Sequence, residues 1–77
     1  MKNSTDIVIH INESLDNQHR IDLSEKVLNI SGVKSASVQE SRPHLMIVAY
    51  NKAETKAYEV LDNVRKTGMH AQLVGWL

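Results

Sequence analysis

The feature that most constrains this chain is the way its apolar spacing changes period, from strand-like to helix-like and back, twice over within 77 residues. Ile7, Ile9 and Ile11 alternate with Val8 and His10, the period-two pattern of a strand rich in β-branched residues. Asn12 to Asn17 follows as a polar loop in which Ser14 and Asp16 are the best-placed helix caps. From Asn17 to Asn29, Leu23, Val27 and Ile30 recur at helical spacing while Arg20, Glu25 and Lys26 face water, which predicts an amphipathic helix. Gly32 lies just past the last periodic residue and is the expected C-cap, because glycine accepts positive φ without strain.

The second half repeats the order. Val33, Ala36 and Val38 mark a strand over Val33 to Glu40, and Ser41-Arg42-Pro43-His44 reads as a turn because Pro43 cannot donate to a ladder. Leu45 to Tyr50 is nearly continuous in apolar residues, the signature of a central strand covered on both faces. After Asn51, a cap or turn residue, Ala57, Val60, Leu61 and Val64 predict a helix over Ala53 to Lys66. That helix ends on Arg65 and Lys66, where its dipole favours cations, and stops at Gly68. Met69 to Trp76 alternates again as a fourth strand. The resulting β-α-β-β-α-β order predicts a ferredoxin-like α+β fold spanning residues 1–77 as a single domain. Its expected form is a four-stranded antiparallel sheet with two helices on one face.

Charge and composition exclude several function classes. Lys plus Arg equals Asp plus Glu at 9 each, so no net field draws the chain to nucleic acid or to an anionic membrane. Its apolar runs fall far short of the roughly 20 residues that a membrane helix needs. Met1 to Asp6 holds one positive residue with no apolar core behind it, which is not a secretory signal, and cytoplasm is the expected location. With no cysteine, only 3 glycines and no Gly-x-Ser-x-Gly elbow, a catalytic role is not expected.

Three segments carry a family likeness: Gly32-Val33-Lys34-Ser35-Ala36-Ser37-Val38, Val48-Ala49-Tyr50-Asn51, and the run from Arg65 through Gly68 to Leu73. Through them the chain resembles the heavy-metal-associated domain family, the small modules of copper chaperones and metal-transporting ATPases. The likeness covers nearly the whole chain. It implies a loop Met-x-Cys-x-x-Cys ahead of the first helix, and counting back from Gly32 places those positions on Ser14, Asp16 and His19. None of the three matches. Cuprous copper prefers soft thiolates, so the family's copper chemistry does not carry over with its fold. The Gly32-Val33 step is also found in amino-acid-sensing, ACT-like regulatory domains of the same topology, which bind a small ligand at a dimer interface.

Four groups of residues are candidates for function. Asp16 and His19, three apart at a helix start, offer a carboxylate and an imidazole suited to a transition metal such as zinc, nickel or iron, or else a helix cap and a solvated histidine. His10 and His70 fall on the outward faces of neighbouring strands, where two imidazoles could hold a metal or a haem iron; His44 reads as a solvated turn residue. If Met46, Val48 and Tyr50 point inward, then Leu45, Ile47 and Ala49 join Val8, Val74 and Trp76 on the face without helices. An apolar patch there marks a protein partner or a homodimer interface. The expected function is therefore a small non-catalytic interaction module acting through its open sheet face. A metal- or haem-binding protein with histidine and carboxylate ligands is the alternative, and a small-ligand regulatory domain the third.

Overall fold

The computed structural model describes residues 4–76. Its elements are β1 (Ser4–Ile11), α1 (Asn17–Leu28), β2 (Val33–Val38), β3 (Leu45–Asn51), α2 (Ala57–Lys66) and β4 (Ala71–Trp76). The strands form one antiparallel sheet in the order β2-β3-β1-β4. With both helices on one face this is the ferredoxin-like α+β architecture that the period changes predict. The central position of β3 accounts for its near-continuous apolar run.

The core lies between the sheet and the helices. Pairing of Ile7 with Val48 and of Ile9 with Met46 lays an inward row across β1 and β3, and each of these residues is 0% exposed. Leu23 and Val27 of α1 close it from one side, and Ala57, Val60, Leu61 and Val64 of α2 from the other. Each fully buried aliphatic side chain contributes about 1.5–3 kcal/mol. A one-residue slip of β1 would turn three buried isoleucines to the open side, so burial itself pins the register.

Element ends differ from the periodicity where side chains compete for the backbone. The second helix begins at Ala57 rather than Ala53, because Asn51 organises a turn first. Its Oδ1 accepts from the Ala53 N–H at 2.9 Å, and its carbonyl accepts from Glu54 and Thr55. The C-cap of α1 is Asn29 in right-handed conformation, not Gly32. Gly32 instead occupies the following turn with φ +94°. The last strand starts at Ala71, leaving Met69 and His70 in the preceding loop, and β2 ends at Val38 rather than Glu40.

A bulge in β4 changes one face assignment. Ile9 pairs with Leu73 but Val8 pairs with Gly75, so Val74 is the extra residue and Trp76 stands opposite Ile7. Simple alternation, which puts position 76 in the outward row, does not survive the bulge: its ladder partner belongs to the inward row. The expectation for the Trp76 side chain lies outside what is described. Among the described residues, no helix is long and apolar enough to cross a membrane.

Candidate functional site

Because β1 runs antiparallel to both neighbours, its C-terminal end meets the starts of β3 and β4. The N-terminus of α1 follows from the same end through the loop Asn12–Asp16. All four histidines of the chain gather at this pole: His10 on β1, His19 on α1, His44 ahead of β3 and His70 ahead of β4. Backbone bonds stitch it together, from Ile11 N–H to the His44 carbonyl at 2.7 Å and from Asn12 N–H to the His70 carbonyl at 2.8 Å. Leu15, buried beneath the loop, and Arg20, whose guanidinium donates to the Leu15 carbonyl at 3.0 Å, hold the loop against the body.

Asp16 and His19 are brought together, and each is engaged by the other. Asp16 is the N-cap of α1, and its Oδ1 accepts from the His19 backbone N–H at 2.9 Å. The same oxygen lies 2.6 Å from His19 Nδ1. The backbone hydrogen bond, followed by that from the ring, holds the Asp16 carboxyl below its usual range. Both side chains remain largely exposed. The arrangement is a cap reinforced by an imidazole. No group of three or more His, Cys, Asp or Glu placed to hold a metal ion occurs among the described residues.

His10 and His70 find other partners. The β4 residue that pairs with His10 is Gln72, while His70 has its Nδ1 2.6 Å from Glu13 Oε2. The other oxygen of Glu13 accepts from the His70 backbone N–H at 2.9 Å, and the side-chain and backbone bonds together lower the Glu13 pKa. The neighbour of His10 is His44, which the sequence presents as a solvated turn residue. Their rings lie 15° from parallel with centroids 5.9 Å apart. His44 Nδ1 is 2.9 Å from the Ile11 carbonyl, and His10 Nδ1 is buried with no hydrogen-bond partner among the described residues. No spacing rule links positions 10 and 44; only the β1–β3 register, which sets His10 against Leu45, brings them together.

On the face without helices, Val8 pairs with Ile47 and His10 with Leu45, extending through Ala49 toward Ser35 and Ser37 of β2. Val8, Leu45, Ile47 and Ala49 are half-buried by one another and by their polar neighbours, while bulged Val74 is 61% exposed. Val8, Leu45 and Ile47 line a shallow concavity of about 360 Å³ with Arg42, Ser37 and Gln39 on its rim.

No family model matches the chain, and no curated protein matches it in sequence. Solved structures do match it in shape. One is the N-terminal domain of a potential copper-translocating P-type ATPase from Bacillus subtilis in the Cu(I)-loaded state, with a TM-score of 0.85 at 20% identity, covering 96% of this chain and 91% of that one. A copper binding domain from HMA7, a P-type ATPase, gives a TM-score of 0.84 at 15% identity over 94% and 96% of the two chains. The apo copper chaperone of Enterococcus hirae gives 0.78 at 24% identity over 88% and 98%. The chain therefore has the fold of heavy-metal-associated domains, carried by a sequence with no cysteine.

Proposed function

We propose that this chain is a non-catalytic interaction module that keeps the heavy-metal-associated fold without thiolate chemistry and docks a second copy of itself through the open sheet face. The observation that carries the reading is the outward row of Val8, Leu45, Ile47 and Ala49 across the two central strands, which no helix covers. A second copy suits this face electrostatically. Its rim is mostly neutral (Ser35, Ser37, Gln39, Gln72), so two copies do not repel. Asp6 on β1 and Arg42 in the β2–β3 turn lie toward opposite ends of the row, so a two-fold arrangement sets acid against base.

Copper handling, which the structural neighbours' names attach to those proteins, does not fit the donor set here. The loop ahead of α1 presents a carboxylate oxygen already accepting two hydrogen bonds and an imidazole nitrogen already engaged by it. Cuprous ion prefers soft sulfur ligands, and no copper step is assigned to these residues.

Sedimentation equilibrium over a concentration series tests the reading. Reversible dimerisation that Ile47→Glu abolishes while the fold's circular dichroism is retained is the expected result. A chain that stays monomeric up to on the order of 1 mM overturns it, as does a dimer indifferent to both Ile47→Glu and Val8→Glu.

A further inference from the structure

We propose that the concavity over Val8, Leu45 and Ile47 is a binding site for a small apolar carboxylate, with Arg42 taking the charge and the aliphatic floor taking the hydrocarbon body. The site is complete within one chain and does not rest on dimerisation. It shares Arg42 and Ile47 with the surface assigned to a second copy, so the two occupants exclude each other.

The floor follows from strand register. Val8 pairs with Ile47 and Ile47 with Ser37, so one rung across β1, β3 and β2 lays two aliphatic side chains beside a hydroxyl. Leu45, the next outward position on β3, extends the apolar surface toward the β2–β3 turn. The volume of about 360 Å³ falls at the small end of the roughly 300–1,000 Å³ of ligand pockets, which likewise join an apolar lining to a few polar groups.

The rim sets the charge of the ligand. Arg20 and Arg65 direct their guanidiniums to the carbonyls of Leu15 and Ala71. Arg42 is exposed and, among the described residues, makes neither an ion pair nor a side-chain hydrogen bond. Its backbone is nonetheless tied to the floor. The Arg42 N–H donates to the Gln39 carbonyl at 3.1 Å, and the Arg42 carbonyl accepts from the Leu45 N–H at 3.1 Å. Pro43 restricts it further from the other side.

A guanidinium matches a carboxylate through two parallel N–H donors. Ser37 and Gln39 add a hydroxyl and an amide on the same rim. Among the described residues no carboxylate lines the concavity: Asp6 lies one outward position beyond Val8, Glu40 lies in the turn, and neither borders it. An ammonium would find no counter-charge there. That disfavours free amino acids and selects a simple carboxylate with an alkyl or aryl body.

The test is NMR titration of the full chain, kept dilute enough to be monomeric, with octanoate, octanol and octylammonium. Saturable shifts confined to the Val8, Leu45 and Ile47 methyls and the Ser37 and Arg42 amides are expected. Octanoate should bind about three- to tenfold tighter than octanol, and octylammonium weakest of the three. Shortening the acid to hexanoate should weaken binding about 4- to 15-fold. Arg42→Gln, in an exposed turn, should erase the preference for octanoate while leaving the affinity for octanol unchanged. Shifts that never saturate, that centre on the helices, or that are equal for octanoate and octanol overturn the proposal. So does a preference for octanoate that survives Arg42→Gln. If the chain dimerises at higher concentration, saturating octanoate should dissociate the dimer, and a dimer that persists beside a filled site overturns the shared face. Failure to dimerise counts against the second copy alone.

Discussion

Gly32 and Gly68 share one backbone conformation, φ +94° at each, in opposite surroundings. A Cβ at Gly32 would lie 2.8 Å from Glu54 Cβ and 3.2 Å from Thr55 Cγ2, whereas a Cβ at Gly68 meets nothing within 4 Å. The left-handed conformation costs an L-residue about 1–2 kcal/mol, and Gly68→Ala reports that cost alone. At Gly32 overpacking adds about 1–3 kcal/mol, because Glu54 Cβ sits on backbone that cannot swing away. The Glu54 and Thr55 N–H groups donate to the Asn51 carbonyl at 3.0 and 3.1 Å, and Asn51 N–H donates to the Gly32 carbonyl at 2.7 Å. Gly32→Ala should therefore cost about 2–5 kcal/mol, a large share of the roughly 4–12 kcal/mol available to a chain of this length. Each kcal/mol moves the melting temperature of so small a domain by about 4–8 °C. Gly68→Ala should thus lower it by about 4–16 °C and Gly32→Ala by about 8–40 °C, with Gly32→Ala the larger loss, read by circular dichroism alongside urea titrations. Glu54→Gly in the Gly32→Ala background should recover part of the difference. Equal losses in the two single variants would refute the argument, since they would mean the Asn51–Thr55 turn yields freely.

Three further outcomes follow from the packing and the pole. Ile9→Ala, at a position 0% exposed, should cost about 2–5 kcal/mol in urea unfolding, while Ile47→Ala on the open face should cost clearly less; a reversal would mean that the two faces of β1 and β3 are interchanged. Asp16→Ala removes the N-cap of α1 and should lower the melting temperature more than Asp16→Asn, which keeps an acceptor for the His19 N–H. Acid should weaken the fold through Glu13 and Asp16, whose folded pKa values are held below their ordinary values of 4.5 and 3.8. Their contribution is complete above those values and is lost as pH falls through the lowered folded ones. The urea midpoint should therefore drop between pH 6 and pH 3, and a Glu13→Gln, Asp16→Asn variant should show a shallower drop; an unchanged slope would mean these bonds do not form in solution.

The candidate site was legible in pieces. Asp16 as a helix cap follows from local chemistry, since an acid at a helix start finds its N–H donor within the next turn. The engagement of His70 by Glu13 spans 57 residues, and no sequence pattern announces it. The His10–His44 pair was hidden for the same reason. Alternation places His10 on the open face, but its partner comes from a turn whose position depends on how β3 registers against β1. Position 76 shows the opposite failure: a regular alternation continues in the sequence through Val74, where the strand inserts an extra residue and changes rows.

The order of elements, the inward rows of β1 and β3 and the buried faces of both helices were determined by the sequence alone. Each expresses a periodicity that only one kind of local backbone can turn toward a common core. The tertiary structure decided the rest: the β4 bulge, the turn that Asn51 builds ahead of α2, and the gathering of four histidines at one pole. These arise where hydrogen bonds and strand register join residues tens of positions apart. Such contacts draw on polar groups that leave no period in the chain.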